Sequence, residues 1–472
     1  MKIERLKSIL LVLLVISSIV LTVNKWFNEK LWPDGYNFFS DIKNYFLNGP
    51  SSKSSAIFDP VEEVLKPAKI ILNNSGNHVL YTKSSSEYNS LFEQIKLSLE
   101  LLSSSNEAEE VETAEWNDAL RRKSCYFAYP VEYDSGYFMY QLSANSNFGS
   151  ISTVREFILK SDTRIPKVSY VYVKDETTQK IFRYRINFES TLVNDMIERV
   201  NTVSSGTDYY SFELNFDRED EDAVEKHIVI DPDVLINITQ TQIPKIWDRN
   251  LFSDISNRPD IFNNILKAFG YNTSTIRKYT EHDNSLVFVE NYGTLKLHTN
   301  GLLEYKSINN TQGVSLYGDT TYECINSCIS FVNTITRSLG LPEGMYYEIS
   351  SDIKNIKSKS FILNFDYYIN DRMIIPSGSS HSISVEVISG KIVSFSQKCN
   401  AFYNSTEFET YPSAIDAIDQ LENKSDIKDG KISDLFTAYY FDDMLRIWRP
   451  MWFIENESGD TLTASIPPEV TQ

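Results

Sequence analysis

Histidine is the residue of this chain best suited to metal binding or to proton transfer near neutral pH. The five histidines stand far apart in the 472-residue sequence, without a His-Glu-x-x-His motif or a close pair; they are His78, His227, His282, His298 and His381. Zinc hydrolases usually take two ligands from closely spaced positions on one element. The spacing therefore does not support a zinc enzyme, and we expect each histidine on the surface or in a strand.

Serine-based catalysis has only weak signals in the sequence. Ser-Asp-Ile-Lys occurs at 351–354 and at 425–428, which fits the Ser-x-x-Lys pattern of penicillin-recognising enzymes, but no Lys-Thr-Gly motif follows either copy. A serine and a histidine are close together in the segment 377–381, although adjacency in sequence does not make a catalytic triad. The nucleophile elbow, the Walker loop and the dinucleotide fingerprint are absent from the sequence. We therefore predict that the protein is not an enzyme and binds no cofactor.

Metal and disulfide chemistry are also poorly supported. The acidic stretch 217–222 lacks the glycine of a calcium loop, and a loop starting at Ser425 has unsuitable residues at three ligand positions. Four cysteines are too few and too scattered for a disulfide scaffold; they are Cys125, Cys324, Cys328 and Cys399. The second and third lie four residues apart on one face of a predicted helix, where bridging geometry is poor. We expect all four to be small core residues, with no metal site.

The net charge excludes another large class of proteins. The chain has 45 Lys and Arg residues against 64 Asp and Glu residues, which gives a formal net charge of −19. Nucleic-acid-binding proteins carry basic patches that neutralise phosphates, and the sequence has no basic stripe. We therefore predict that the protein does not bind nucleic acid. The 13% aromatic content is ample for sizeable hydrophobic cores.

An uncharged apolar run, Ser8–Val23, predicts a single transmembrane helix over 8–24. The flank that precedes it is net basic, with Lys2, Arg5 and Lys7 against Glu4. The positive-inside rule places such a flank, residues 1–7, in the cytoplasm and the bulk of the chain outside the cell membrane. A cleaved signal peptide is the alternative, but no small-x-small cleavage site follows the run.

Two hydroxyl residues mark one face of this predicted helix. Ser18 and Thr22 are four residues apart, so they share a face on which another helix could approach closely and form hydrogen bonds in lipid. We interpret this face as the partner contact in the membrane. An ordinary anchor that tolerates two hydroxyl groups explains these residues equally well.

The outer part of the chain alternates between helical and strand patterns. A juxtamembrane stalk is predicted over 25–60, and an N-terminal extracytoplasmic domain of mixed α and β structure over 61–235. Within this domain, apolar residues recur at helical spacing from Tyr88 to Leu102, and the segment 168–186 alternates like two strands around a polar turn.

A helix followed by a hairpin then occurs twice, which predicts two similar domains, each an antiparallel sheet plus a helix. The middle domain is predicted over 236–315 and the C-terminal domain over 316–472. The second helix starts with a capping box of Thr320 and Glu323 and ends at Gly340. The sequence therefore predicts an α+β fold with one N-terminal transmembrane helix.

The hairpin registers follow from the apolar residues, which share one face only if each loop has three residues. The predicted pairs are Leu297 with Leu303, Leu295 with Tyr305, Val387 with Val393, and Val385 with Phe395.

Several segments resemble the YycH family. The anchor ERLKSILLVLLVISSIVLTVNKW at 4–26 is similar to the start of YycH proteins, and VYVKDETTQKIFRY and LKLHTNGLLEY are similar to family segments. The C-terminal series FDYYIN, VEVISGKIVSF, PSAIDAI and RPMW also resembles the related YycI proteins. The acidic stretch 217–222 and most of 30–165 depart from the family pattern.

The resemblance implies a regulatory function without catalysis. YycH proteins are non-enzymatic accessory proteins of Gram-positive bacteria that adjust the WalK/YycG sensor histidine kinase of cell-wall metabolism, together with YycI and partly through their transmembrane helices. We expect a kinase of this type as partner, with a YycI-like protein as a further candidate. Two alternatives stay open, namely an extracytoplasmic module that binds a ligand or a wall fragment, and a wall-active hydrolase.

Overall fold

The computed structural model describes most of the chain beyond residue 62, with gaps. The described residues are 63, 65–102, 108–142, 148–149, 151–162, 164–199, 208–214, 229–253, 259–376, 381–423, 431–442, 446–456 and 461–464. The predicted membrane helix 8–24 with Ser18 and Thr22, the stalk 25–60 and the acidic stretch 217–222 lie outside this range. Within it, no helix is both long enough and apolar enough to cross a membrane.

The described part of the chain contains eight helices and twenty-five strands, which confirms the α+β class. The helices are α1 Tyr88–Leu102, α2 Thr113–Arg121, α3 Ser135–Gln141, α4 Ser190–Glu198, α5 Ser211–Leu214, α6 Pro259–Ala268, α7 Thr321–Leu339 and α8 Ala414–Asn423. The strands are β1 Lys69–Asn74, β2 Asn77–Tyr81, β3 Ala108–Val111, β4 Ser124–Asp134, β5 Thr153–Ser161, β6 Ser169–Asp175, β7 Lys180–Ile186, β8 Asp208–Tyr210, β9 Val229–Ile230, β10 Leu235–Asn237, β11 Thr241–Asn250, β12 Arg277–Thr280, β13 Leu286–Glu290, β14 Gly293–Leu297, β15 Leu302–Ser307, β16 Val314–Ser315, β17 Met345–Ile349, β18 Phe361–Ile369, β19 Arg372–Ile375, β20 Ile383–Ile388, β21 Lys391–Lys398, β22 Asn400–Tyr411, β23 Lys431–Asp442, β24 Ile447–Asn456 and β25 Thr461–Ala464.

The N-terminal part forms an antiparallel sheet, here called the first sheet, in the order β2-β1-β4-β5-β6-β7-β3. Side chains alternate between its two faces, so Ile70 joins one apolar cluster and Ile71 the other. Helices α1 and α4 contribute to the cluster on the first face, and α2 covers the second face with Trp116. Both faces are buried, which explains why β4 begins as an uninterrupted run of buried residues.

Strands β8 and β10 form a separate two-stranded sheet, and the other remaining strands form a larger sheet, here called the second sheet. Its main path runs β12-β13-β14-β15-β21-β20-β18-β19-β23-β24-β11-β22. Strand β11 lies in the segment predicted as the middle domain, yet its described partners β22 and β24 lie in the segment predicted as the C-terminal domain. The two predicted units therefore share one sheet.

The second sheet contains a duplicated unit. Helix α6 precedes the meander β12-β13-β14-β15, and α7 precedes the antiparallel set β17, β18, β20 and β21. The last strands of the two units pair antiparallel, with Tyr305 opposite Phe395 and Glu304 opposite Ser396. Because Tyr305 and Phe395 occupy matching positions in their hairpins, the two units are related by an approximate twofold axis through this pair. The rings of Phe269 and Phe331, from the two helical segments, contact each other 5.1 Å apart over the same pair.

Three of the four predicted hairpin pairs are confirmed, and one is wrong. Leu295 faces Tyr305, Leu297 faces Leu303, and Val385 faces Phe395. Val387, however, faces Ile392 rather than Val393. Ser389 and Gly390 both adopt positive φ, as a two-residue turn requires, and a bulge after Glu386 absorbs the extra residue.

Other local predictions are confirmed. Thr320 and Glu323 form the capping box of α7, and Gly340 ends this helix with φ of 70°. Periodic apolar residues form α1, and the two strands predicted at 168–186 are β6 and β7. All four cysteines are buried free thiols.

Phe269 provides a test of the shared core. Its side chain is fully buried and its ring centroid lies 5.0 Å from Tyr305 and 5.4 Å from Phe395. Phe269→Ala should lower the free energy of unfolding by about 3–5 kcal/mol, because it leaves a cavity where the two units meet. Urea denaturation of the detergent-solubilised full-length chain measures this loss. Ile362→Ala, at a site 55% exposed, is the control and should cost no more than about 0.5 kcal/mol; equal losses would contradict the shared core.

Candidate functional site at the junction of the two sheets

The first and second sheets are joined by main-chain hydrogen bonds at the end of β4. The register of β4 against β5 shifts between Ala128 and Tyr133, so the intervening residues bulge and redirect the strand. Tyr133 then forms a parallel bridge with Ile353 of the second-sheet segment. The amide of Asp134 donates to the carbonyl of Ile353 at 2.6 Å, and the amide of Ile353 donates to the carbonyl of Glu132 at 2.9 Å. The bulge therefore carries the first sheet onto the second.

Helix α3 docks on the first turns of α7 through polar side chains. One carboxylate oxygen of Asp134 accepts both the amide of Tyr137, as the N-cap of α3, and the hydroxyl of Tyr322 at 2.9 Å. The hydroxyl of Tyr137 donates to the side-chain oxygen of Asn326 at 2.9 Å. A Cβ at Gly136 would lie 2.6 Å from the Tyr322 oxygen, so only glycine fits this contact without displacement.

A tight turn of the second sheet reaches the loop after β2. Asn370 and Asp371 connect β18 to β19 with φ of 52° and 57°. The Asp371 carboxylate accepts hydrogen bonds from the Thr82 hydroxyl at 2.7 Å, from the Ser84 amide at 3.2 Å and from the Tyr346 hydroxyl at 3.1 Å. The turn thus holds the loop that follows β2 of the first sheet by hydrogen bonds.

A buried ion pair lies beside this turn. The ammonium of Lys83 is 2.9 Å from a carboxylate oxygen of Glu348, whose side chain is only 4% exposed, and 3.8 Å from Glu63. Burial by itself would lower the pKa of Lys83, but the carboxylates of Glu348 and Glu63 outweigh it and raise that pKa. Lys83 therefore stays charged, and removing either member would leave a buried charge without its counter-ion.

The serine and lysine of the Ser-Asp-Ile-Lys segment at 351–354 have structural partners in this junction. The Ser351 hydroxyl accepts the Asn364 amide at 2.9 Å. Lys354 pairs with Glu132 and with Asp352, each at 2.8 Å. Both groups are engaged in holding the chain, which does not suit a nucleophile and its base. The second copy at 425–428 lies outside the described residues.

The described contacts of His381 do not have the arrangement of a catalytic triad, and the serines of 377–380 lie outside the described residues. Its Nδ1 atom is 3.2 Å from the Ser350 hydroxyl and 2.9 Å from the Asp366 carboxylate. A triad needs the hydroxyl on one ring nitrogen and the carboxylate on the other. Here both groups face the same nitrogen.

His78 lies in a strand, as the sequence predicted, and its side chain is buried. It is in β2, and its ring nitrogens contact Asn73 and Glu213, each at 2.8 Å. Burial lowers the pKa of His78 and Glu213 opposes that shift. The pair fastens α5 against the first sheet. His298 contacts Glu304 at 3.1 Å across a hairpin, as expected of a strand-end residue. In the ranges that the structure covers, no cluster of three or more His, Cys, Asp or Glu side chains could hold a metal.

Comparison with known proteins gives a match at the level of the fold. No protein-family model matches the chain, and no curated protein matches it either. The crystal structure of YycH from Bacillus subtilis superposes with a TM-score of 0.58 at 12% sequence identity, over 86% of this chain and 97% of the other. The chain has the YycH fold. An uncharacterized protein from Eubacterium rectale aligns over 52% of this chain with a TM-score of only 0.29, too low to imply a shared topology.

The YycH-like fold confirms the resemblance seen in the sequence. The sequence did not predict the junction residues, because Asp134, Tyr322 and Asp371 have the local patterns of ordinary strand, helix and turn residues. One local signal was available: Asn370-Asp371 separates two apolar strand patterns, as a tight turn would.

Asp371 provides a test of the junction. Asp371→Gly keeps a residue that tolerates positive φ but removes the acceptor of four hydrogen bonds, from the Thr82 hydroxyl, the Ser84 amide and hydroxyl, and the Tyr346 hydroxyl, so it should weaken the local contact by about 1–3 kcal/mol. Hydrogen exchange of peptides covering Thr82 to Ser84 should accelerate in the variant. Asn284→Gly, at a φ of 65° in another turn, is the matched control. Unchanged exchange around Thr82 would show that Asp371 does not hold this loop.

Proposed function

We propose that this chain is a membrane-anchored, non-enzymatic regulator of a sensor histidine kinase of the WalK/YycG type, which controls cell-wall metabolism. The observation that carries the proposal is the YycH fold over 86% of the chain. The basic tip and apolar run at the N-terminus support the same function, because such a regulator needs to share the membrane with its kinase.

The proposed mechanism is mechanical coupling. The anchor enters the outer part of the chain at the first sheet, and the second sheet holds that sheet through the Asp134, Asp371 and Lys83 contacts. A change in how the second sheet sits would therefore reach the anchor through the junction. The anchor would in turn favour one of two arrangements of the kinase helices.

Ser18 and Thr22 are the proposed contact of the anchor with the kinase helices, and a YycI-like protein is a further proposed partner. Interhelical hydrogen bonds in membranes contribute about 1 kcal/mol each, which is roughly a fivefold shift of a two-state equilibrium. Two such contacts are small individually but sufficient to adjust a kinase that lies near its balance point.

Replacing the helix 8–24 with an unrelated transmembrane helix should change the expression of kinase-controlled wall genes to the level of a strain that lacks the protein. Ser18→Ala with Thr22→Ala should shift it part of the way, and crosslinks from these two positions should identify the kinase. Ser17→Ala removes a hydroxyl from a different face and is the matched control.

Two negative results have different meanings. Normal reporter output after the helix replacement would contradict the membrane contact but not regulation through the outer domains. Normal output in a strain without the protein would contradict the proposed function as a whole.

A further inference from the structure

A second β-bulge gathers charged residues beneath the junction. The register of β5 against β6 shifts between Val154 and Phe157, so that Arg155 and Glu156 together stand opposite Lys174. A bulge of this kind turns two neighbouring side chains toward the same region. This places an arginine, a glutamate and a lysine side by side near the second sheet.

Three carboxyl groups surround the single ammonium of Lys174. Its Nζ atom is 3.1 Å from Asp233, 3.2 Å from Glu156 and 3.9 Å from Glu176. The side chains of all four residues are at most 16% exposed. One cation cannot neutralise three buried carboxylates, so the all-ionised state of this cluster is unfavourable.

Two further cations offset part of this negative charge, but both are shared with another carboxylate. Arg155 is partly engaged by Asp434 at 3.7 Å, and Lys69 lies 3.9 Å from the same carboxylate. The buried Oε1 atom of Glu176 has no hydrogen-bond partner, so ionisation of this carboxyl would leave charge on an unsolvated oxygen. The charged or titratable groups that face the cluster from neighbouring elements are Lys69, Tyr126, Arg155, Tyr210, Asp434 and Glu455.

The carboxyl groups respond differently to this environment. Burial and the neighbouring Glu156 raise the pKa of Glu176 to about 8 and that of Asp233 to about 7. Burial alone would raise the pKa of Glu156 as well, but the contact with Lys174 outweighs it and lowers that pKa. Glu156 is thus the ionised partner of Lys174, while the other two carboxyl groups titrate near neutrality.

The cluster also connects the two sheets. Asp233 lies between β9, which pairs with β23 of the second sheet, and β10, which pairs with β8 beside the first sheet. Arg155 extends from the same bulge to Asp434 on β23. A change of charge on the carboxyl groups around Lys174 therefore acts on a connector that touches both sheets.

We propose that the carboxyl cluster around Lys174 is a proton-binding site through which the surrounding pH controls how tightly the segment 229–237 is held between the two sheets. Protonated, the cluster has balanced charge and the segment is held tightly. Deprotonated, two buried carboxylates lack counter-ions and the segment is held more loosely. This inference stands independently of the proposed kinase partner.

The sign of the pH dependence follows from the raised values. Unfolded Asp and Glu release their protons near pH 4, whereas folded Asp233 and Glu176 keep theirs to about 7 and 8. Stability from this site is therefore complete below about pH 4 and is lost as the pH rises through 7 and 8. Each retained proton changes the folding equilibrium constant by roughly tenfold per pH unit within that window.

The test uses the full-length chain in detergent and the isosteric variant Glu176→Gln, which mimics the protonated state and so should fold. Folding equilibria are measured from pH 5.5 to 9, together with hydrogen exchange in 229–237. Glu110→Gln, at an exposed surface pair with Lys180, is the matched control. Asp233→Asn provides a second variant at the other titrating position.

We expect the wild type and the Glu110→Gln variant to lose stability together from pH 5.5 to about 8 and to level off above that, with faster exchange in 229–237. Glu176→Gln should reduce that loss by about tenfold per pH unit. In difference infrared spectra a carboxyl carbonyl band should decrease between pH 6 and 9 in the wild type and in Glu110→Gln, and to a smaller extent in Glu176→Gln and in Asp233→Asn, which each keep one of the two titrating groups. A pH dependence in Glu176→Gln and in Asp233→Asn that matches the wild type would overturn the proposal, as would a wild-type spectrum without that band.

Discussion

The antiparallel pairing of β15 with β21 is the interaction on which the rest of the structure depends. It joins two helix-plus-meander units at matching residues, Tyr305 and Phe395, and so lets Phe269 and Phe331 pack on one another above them. Because the pairing merges their helices over one sheet, each unit completes the core of the other.

The first sheet is attached to this body by a different kind of contact. Its bulged strand β4 contributes two main-chain hydrogen bonds. Polar side-chain contacts are added beside the apolar cluster that continues across both sheets: Asp134 with Tyr322, Asp371 with Thr82, and Lys83 with Glu348. Buried polar contacts add less stability than apolar packing but are strict about geometry. Such a junction fixes one orientation of the two sheets while leaving it sensitive to small changes of charge.

Among the described residues, those whose types suggested catalysis or metal binding have structural roles. Ser351 and Lys354 hold the junction segment, the Ser350 hydroxyl and Asp366 share one nitrogen of His381, and the cysteines fill the core. Titratable groups with shifted pKa values instead gather at Lys174, where a bulge and a connector meet. There, burial and the neighbouring Glu156 raise the pKa values of Glu176 and Asp233.

The sequence by itself determined the local elements. The capping box at Thr320, the helix end at Gly340, three of the four hairpin pairs and the duplication of the helix-and-hairpin unit all follow from short-range periodicity and turn chemistry. The anchor with Ser18 and Thr22 and the domain boundaries remain predictions. Only the tertiary structure decided that the two units share a sheet, that Asp371 reaches Thr82 across 289 residues of sequence, and that three carboxyl groups surround Lys174. These contacts join residues far apart in the chain and depend on bulges, and neither long-range pairing nor a one-residue register shift leaves a periodic signal in the sequence.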